Sequence, residues 1–323
     1  MRQEYMKIHR RNIKYKYRRI GVGIAVFIAA LSLVLVNLPR AQASQLNKKY
    51  SFIKTNYTVP TSNVVWVAPN GNDTSGNGSE GSPYATFKKA LSSISNGGTV
   101  VAKSGIYREP HFFISGDNVT IQAAPGAEVW LKGSDVVNSW TSENGIWKTT
   151  GNYHNFCHVC TTNANPSVEG VAAYPEQVFI NDEPLKQVKT KAEVTPGSNT
   201  FYVEDNTPTT LKTPNNNADG YNIGQQDAIS YYIGKNPASG VTEISERARA
   251  FTSTGKNVSV KGVNVAQYSP VQVWGFNDPY DPAADRGVYS GPTAVSINGT
   301  GSLVQDMIVT QSASQGLFFN KAE

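Results

Sequence analysis

Short apolar runs separated by glycine, asparagine and other polar residues follow one another along most of the chain after residue 63. Val64–Val67, Thr99–Ala102 and Gly105–Tyr107 are the first three such runs. Runs of this length, rich in β-branched residues and bounded by turn-forming residues, favour β-strands over helices. The pattern therefore predicts an all-β chain of many short strands.

One segment has helical spacing instead. Phe87, Ala90, Leu91 and Ile94 recur at i, i+3, i+4 and i+7, which is one face of an amphipathic helix. The pattern predicts a short helix over 86–95 that begins at a cap near Thr86 and ends before two successive glycines.

The strand pattern repeats. Gly116-Asp-Asn-Val-Thr-Ile-Gln resembles Gly255-Lys-Asn-Val-Ser-Val-Lys, and a third copy begins at Gly299. The second and third copies match at an offset of 44 residues, and Val295 lies 22 residues before Leu317. We interpret 44 as two periods of 22, a spacing that predicts a stacked β-solenoid. Such stacking pairs every strand above and below, and the amphipathic helix would cover the open edge of the first coil.

Two stretches interrupt this period. Residues 139–245 contain further strand-like runs around 177–180, 201–204 and 229–234, which predict an inserted β-subdomain. Residues 269–292 form a shorter, polar insertion.

The N-terminus has a different pattern. Residues 2–19 are strongly basic, an uncharged run extends from Ile20 to Leu38, and Ala41-Gln42-Ala43 supplies the small residues of a cleavage site. This order predicts a secretory signal over residues 1–43. The apolar run is also long enough for an uncleaved membrane anchor. Either way, the remainder is expected outside the cytoplasm, extracellular or in the cell envelope, after a linker at 44–62.

The leader accounts for the basic character of the chain. Residues 1–43 hold nine Lys/Arg and one acidic residue, whereas the remaining 280 residues hold 20 Lys/Arg and 23 Asp/Glu. The exported part is therefore mildly acidic, so composition gives no support for a nucleic-acid partner. Any membrane contact is expected only through the N-terminal segment.

Four motifs follow one another along the first part of the exported chain. They are Trp66-Val-Ala-Pro-Asn-Gly-Asn-Asp, Ser82-Pro-Tyr-Ala-Thr-Phe-Lys-Lys-Ala-Leu, Val101-Ala-Lys-Ser-Gly-Ile-Tyr-Arg-Glu and Asn118-Val-Thr-Ile-Gln-Ala. Together they resemble the pectin-lyase-like family of right-handed parallel β-helix proteins. The run that begins at Gln177 is similar to an inserted β-segment in bacterial members.

The resemblance implies an all-β fold: a right-handed parallel β-helix over 63–323, with an N-terminal capping helix and a β-rich insertion at about 139–245. Members of the family usually continue for several more coils, so we expect this sequence to be the N-terminal part of a longer protein. We expect it to be a monomer.

The resemblance implies a carbohydrate-directed function without specifying the activity. The family includes polysaccharide lyases, glycoside hydrolases, epimerases and non-catalytic surface proteins, and a fold does not fix a function. We therefore expect an extracellular polysaccharide as the partner, with lyase, hydrolase and non-catalytic adhesion roles all open. No catalytic residue can be named from the sequence.

The 269–292 insertion holds the candidate ligand-binding residues. Asp278, Asp281 and Asp285 offer hard oxygen ligands that could hold Ca²⁺, although a solvated loop with turn-forming aspartates is the simpler explanation. No cofactor is otherwise indicated. Two aromatic residues and a cation could contact a sugar or its carboxylate; these are Trp274, Tyr280 and Arg286.

Three further features of the sequence have simple structural explanations. Cys157 and Cys160 are expected to form a disulfide outside the cytoplasm, with a zinc site or free thiols as alternatives. Glu109 is expected at the surface. Arg247 and Arg249 could line a groove, but ion pairs with Glu243 or Glu246 are the simpler expectation.

Overall fold

The computed structural model describes residues 53–154, 156, 176–205, 226–270 and 293–320, and within these ranges short strands dominate. The first elements are β1 (Val64–Val67), α1 (Phe87–Leu91), β2 (Thr99–Ala102), β3 (Gly105–Tyr107), β4 (Phe112–Ile114), β5 (Thr120–Ala123) and β6 (Val129–Lys132). The middle strands are β7 (Ser134–Val136), β8 (Thr141–Glu143), β9 (Ile146–His154), β10 (Val178–Ile180), β11 (Glu183–Pro184), β12 (Lys186–Gln187), β13 (Thr200–Asp205), β14 (Gln226–Ile233) and β15 (Thr242–Ser245). The last strands are β16 (Phe251–Ser253), β17 (Ser259–Lys261), β18 (Val263–Ala266), β19 (Val295–Ile297), β20 (Leu303–Gln305), β21 (Val309–Thr310) and β22 (Leu317–Phe319).

Three parallel sheets are built from successive turns of the chain. The first has the order β1-β2-β5-β17-β20, the second β21-β18-β6-β3 and the third β22-β19-β16-β4. Each coil passes through the first, second and third sheets in turn, as in β17, β18 and β19. Stacked parallel sheets are what the short, repeating strands predicted.

The strand registers confirm the repeat and correct its period. Val295 pairs with Leu317, 22 residues later, as expected for one coil. Val260, however, pairs directly with Val304. The 44-residue offset is therefore one coil that contains an insertion between β18 and β19, and the interpretation as two periods of 22 was wrong.

Apolar columns fill the space between the sheets. Val119, Ile121, Val258 and Val260 were expected to point inward, and each is at most 2% exposed. Phenylalanine rings form a further column. The Phe87 ring lies 5.5 Å from that of Phe112, which lies 5.6 Å from the ring of Phe251, and both pairs are stacked.

Helix α1 is shorter than the predicted 86–95. Thr86 is its N-cap and accepts a hydrogen bond from the Lys89 N–H, as expected. The Ser92 and Ser93 hydroxyls both donate to the Lys89 carbonyl oxygen, at 2.7 and 3.0 Å. Serine hydroxyls that bond to the local backbone compete with helical hydrogen bonds, which explains the end at Leu91.

The chain between β6 and β16 forms two further sheets, as the interrupted period predicted. One has the order β11-β10-β15-β7 and is antiparallel. The other has the order β12-β13-β14-β9-β8 and is antiparallel except for the β12–β13 pair. They share buried apolar side chains such as Ile180, Phe201 and Ile244.

The described part of the predicted linker packs against the first parallel sheet. The Thr55 carbonyl accepts from the Gly126 N–H at 2.8 Å, and the Thr58 carbonyl accepts from the Gln122 amide at 3.2 Å. The Tyr57 hydroxyl donates to the Asp306 carboxylate. The predicted leader lies outside the described residues, and within them no helix is both long and apolar enough to span a membrane.

Replacing Gly255 by Ala is expected to lower the free energy of unfolding by about 1–3 kcal/mol, which is typical of overpacking. A Cβ at this position would lie 2.1 Å from the Gly116 carbonyl oxygen of the coil below. Gly81→Ala is the matched control, because a Cβ there would have no neighbour within 4 Å. Urea unfolding of both variants measures the difference, and equal stabilities would contradict this tight stacking.

Candidate functional site

Both insertions leave the stack between the second and third parallel sheets. The backbone of Gly133–Asp135, Ser245–Arg247 and Gln267–Ser269 meets there, and we call this region the insertion corner. The Glu246 N–H donates to the Gly133 carbonyl at 2.8 Å, and the Ser269 N–H donates to the Arg247 carbonyl at 3.0 Å. The stack therefore provides a rigid base on which inserted segments converge.

Two carboxylates, those of Asp135 and Glu246, lie at the β7–β15 ladder in this corner. Ser245 pairs with Ser134 and Ile244 pairs with Asp135. Since paired side chains of a sheet point to the same face, Asp135 shares the face that Ile244 occupies. Glu246 follows directly after β15, close enough for the charge of Asp135 to raise its pKa. Their chain segments are far apart in sequence, so only the sheet pairing brings the two groups together.

Asp135 is held by an arginine. Arg247 Nη1 and Nη2 donate to its two carboxylate oxygens at 2.9 and 3.1 Å, a bidentate arrangement. The Asp135 side chain remains 43% exposed. It is thus an oriented carboxylate with access to solvent.

Glu246 is in a different environment. Its Oε2 accepts from the His154 N–H at 3.0 Å, while its buried Oε1 has no hydrogen-bond partner among the described residues. Burial raises the pKa of Glu246 to about 7, and the charge of Asp135 adds to this, although the His154 N–H and Arg247 oppose it. Glu246 therefore carries a proton for part of the time near neutral pH.

The opposite face of the same ladder carries a buried ionic network. Lys132 Nζ lies 2.6 Å from Asp182 Oδ1 and 2.7 Å from Glu243 Oε2, and Arg108 also bonds to Glu243. Burial opposes the ionisation of Glu243, but Lys132 and Arg108 outweigh it and hold its pKa below the ordinary value. Burial raises the pKa of Asp182, although Lys132 opposes the shift.

Asp182 connects the inserted sheet to three successive coils. Its carboxylate accepts from Lys132 and from the Gln267 side-chain amide, the latter at 3.0 Å. Its backbone carbonyl accepts from the Gln311 side-chain amide at 2.6 Å. This network fixes the position of the β7–β15 ladder, and therefore of Asp135 within it and of Glu246 directly after it.

Glu109 was expected at the surface from the sequence, but it is buried. Its carboxylate accepts from the backbone N–H groups of Phe87 and Lys88, at 3.0 and 3.2 Å, at the start of α1. Burial raises its pKa to about 7, although these two N–H groups oppose the shift. Glu109 thus has a structural role in holding α1 against the stack.

Glu109 makes stability depend on pH. Its folded-state pKa of about 7 exceeds the unfolded value of 4.5. Between these two pH values the folded state retains a proton that the unfolded state loses. The protonated carboxyl group therefore favours the folded state fully below about pH 4.5, and this contribution is lost as the pH rises through 7. We expect Glu109→Gln to gain roughly 2–3 kcal/mol relative to wild type between pH 5 and 8. Urea unfolding across this range measures the difference; a constant difference between the two proteins would contradict the shifted pKa.

The predicted site residues fall largely outside the described residues. This holds for Cys157 and Cys160, for Trp274, Tyr280 and Arg286, and for Asp278, Asp281 and Asp285. The described ends of their segments nevertheless lie at the insertion corner. Gln177 Oε1 accepts from the hydroxyls of Ser245 and Ser269, at 3.2 and 3.3 Å. Within the described ranges, no group of three or more His, Cys, Asp or Glu side chains could hold a metal ion.

Arg247 was expected to form an ion pair with Glu243 or Glu246, and this prediction was wrong. Arg247 pairs with Asp135, while Glu243 pairs with Lys132 and Arg108. Asp135 was missed altogether, because no local pattern distinguishes it from other aspartates near turns.

No protein-family model matches the chain, and no curated protein matches it. A solved structure described as XylC in complex with xylose is similar, with 19% identity and a TM-score of 0.48, covering 75% of this chain and 40% of that one. A structure described as a glycoside hydrolase has 12% identity and a TM-score of 0.48, covering 79% of this chain and 63% of that one. This chain thus spans less than two thirds of either structure, and similarity this distant assigns it neither a family nor an activity.

Proposed function

We propose that this protein acts on an extracellular polysaccharide at the insertion corner, as a carbohydrate-active enzyme. The observation that carries the proposal is the pairing of a partly protonated carboxylic acid, Glu246, with an oriented carboxylate, Asp135. Cleavage of a glycosidic bond requires two such groups in unlike protonation states.

In this proposal Glu246 is the general acid. It donates its proton to the glycosidic oxygen as the bond to the anomeric carbon breaks. Asp135 accepts a proton from the water that attacks this carbon, and Arg247 orients Asp135. The water is thus added across the cleaved bond. We prefer hydrolysis to elimination because the site is formed by two carboxylates, whereas elimination would use a free lysine or arginine as the base.

The outer face of the third parallel sheet offers a surface for the rest of the chain of sugars. The strand registers place Phe113, Thr252, Ser296 and Phe318 in one row. Phe113 is 53% exposed. Thr252 is buried and its hydroxyl bonds to His111, so the aromatic rings at the two ends of the row, Phe113 and Phe318, supply the stacking that sugars require.

We also propose the finer assignments that the family resemblance implies. These are a right-handed coil, membership of the pectin-lyase-like family, and export through residues 1–43. The stacking of Phe87 on Phe112 supports a capping role for α1, because β4 is the edge strand of its sheet. The disulfide and Ca²⁺ predictions remain predictions.

The test is incubation of the full-length protein with a panel of polysaccharides, with and without EDTA. Reducing ends report hydrolysis, and the absorbance of unsaturated uronides reports elimination. On a substrate that is cleaved, Glu246→Gln is expected to lower kcat/KM about 100-fold, as is typical for loss of a general acid. Glu143→Gln is the control, since its 41% exposed side chain lies on another sheet.

Several outcomes would contradict the proposal. Equal activities of Glu246→Gln and Glu143→Gln would remove Glu246 from the reaction. Unsaturated products without hydrolysis would show elimination instead. Polysaccharide binding by the wild-type protein with no product of either kind would establish a non-catalytic surface protein.

A further inference from the structure

A cavity of about 590 Å³ lies at a different corner of the stack, between the first and second parallel sheets. Its walls come from the N-terminal segment, from β1, and from the turns that follow β2 and β5. The lining residues used below are Val59, Trp66, Glu80, Lys103 and Ser104. The volume is within the usual range for a small-molecule site.

Trp66 and Lys103 give this cavity its chemical character. Trp66 lines the cavity and is 9% exposed. Lys103 Nζ lies 5.6 Å from the centre of the indole and donates to the Glu80 carbonyl oxygen at 2.7 Å. Within the described part of the chain, no carboxylate forms an ion pair with this ammonium group. It therefore keeps donors for a ligand beside an aromatic surface.

Hydroxyl-binding groups surround this pair. The Ser104 side chain accepts from the Glu128 N–H at 3.1 Å, which fixes its oxygen and leaves its proton for a further acceptor. Glu80 also lines the cavity, and its exposed side chain can accept hydrogen bonds from hydroxyl groups. The N-terminal segment closes one wall at Val59.

We propose that this cavity is a second saccharide site, which binds one acidic pyranose unit. The sugar carboxylate pairs with Lys103, the apolar face of the ring packs against Trp66, and the hydroxyl groups bond to Glu80 and Ser104. An acidic unit is preferred to a neutral one because only a carboxylate forms a charge-assisted bond with the otherwise unpaired ammonium. The site shares no residue with the insertion corner, so it does not depend on catalysis there.

Titration of the full-length protein with D-glucuronate, followed by calorimetry and by tryptophan fluorescence, tests this proposal. Saturable binding is expected, and D-glucose and acetate should each bind more weakly than glucuronate. Lys103→Gln is expected to raise the Kd for glucuronate about tenfold, which corresponds to the loss of one charge-assisted bond. Trp66→Phe should remove most of the fluorescence change while leaving detectable binding.

Lys89→Gln is the matched control. Lys89 Nζ lies 5.5 Å from the centre of the Tyr84 ring, a similar cation–aromatic contact that does not line the cavity. An unchanged Kd is expected for this variant and for Glu246→Gln. Equal affinities of the Lys103 and Lys89 variants, or the absence of saturable binding by the wild-type protein, would overturn the proposal. Loss of glucuronate binding in Glu246→Gln would place the sugar at the insertion corner instead.

Discussion

Replacing Lys132 by Met is expected to lower the free energy of unfolding by about 3–5 kcal/mol, the usual effect of removing one partner from a buried ion pair. Lys132 is fully buried and lies within 2.8 Å of carboxylate oxygens of both Asp182 and Glu243. Without it, two carboxylates remain close together in a buried environment, and among the described residues only Arg108 is paired with one of them. Since this network joins the inserted sheet to the stack, the loss should also loosen that junction.

Urea unfolding of the variant provides the measurement, with Lys148→Met as the control. Lys148 has a partly exposed side chain 3.9 Å from Glu143, so its loss should cost much less than the loss of Lys132. Adding Glu243→Gln to Lys132→Met should recover part of the stability, because it removes one of the two uncompensated charges. Similar effects of the two lysine variants, or no recovery in the double variant, would show that Lys132 is not the centre of this network.

Replacing Phe251 by Ala is expected to cost about 3–5 kcal/mol, as is typical for a buried aromatic residue. Phe251 is 1% exposed and extends the column of rings formed by Phe87 and Phe112. In a narrow stack, the neighbouring coils cannot move together to fill the space, because their backbones are held at the strand spacing. A cavity therefore remains.

Phe113→Ala is the control for this effect. Phe113 lies on the adjacent strand but points outward and is 53% exposed, so its loss should change stability by about 0.5 kcal/mol or less. If Phe251→Ala does not fold, Phe251→Leu should fold with a smaller loss. Equal losses for Phe113→Ala and Phe251→Ala would contradict the assignment of inner and outer faces.

The stack could be predicted because each coil repeats the same local signals. Asn118 and Asn257 both adopt positive φ angles, 58° and 53°, and the Asn257 amide donates to Asn118 Oδ1 at 3.0 Å. Asparagine tolerates this conformation better than most residues, so its recurrence marks the turn from coil to coil. The inward positions recur as well, because successive side chains of a strand alternate between its two faces.

The insertions and the site could not be predicted to the same extent. The 44-residue offset gives equal support to two short coils and to one long coil, and only the direct pairing of Val260 with Val304 distinguishes them. The contact between Asp135 and Arg247 spans 112 residues of sequence and depends on how the inserted strands pair. Likewise, Glu109 was expected at the surface because its neighbours in sequence do not reveal that α1 begins above it.

The most direct test of the account is the pKa of the Glu246 carboxyl group, measured by ¹³C NMR titration of the full-length protein. Comparison with the spectrum of Glu246→Gln assigns the signal. We expect a midpoint at about pH 7, which would establish a partly protonated acid beside Asp135. A midpoint near 4.5 would mean that Glu246 is an ordinary carboxylate at neutral pH, and the proposed general acid would be lost.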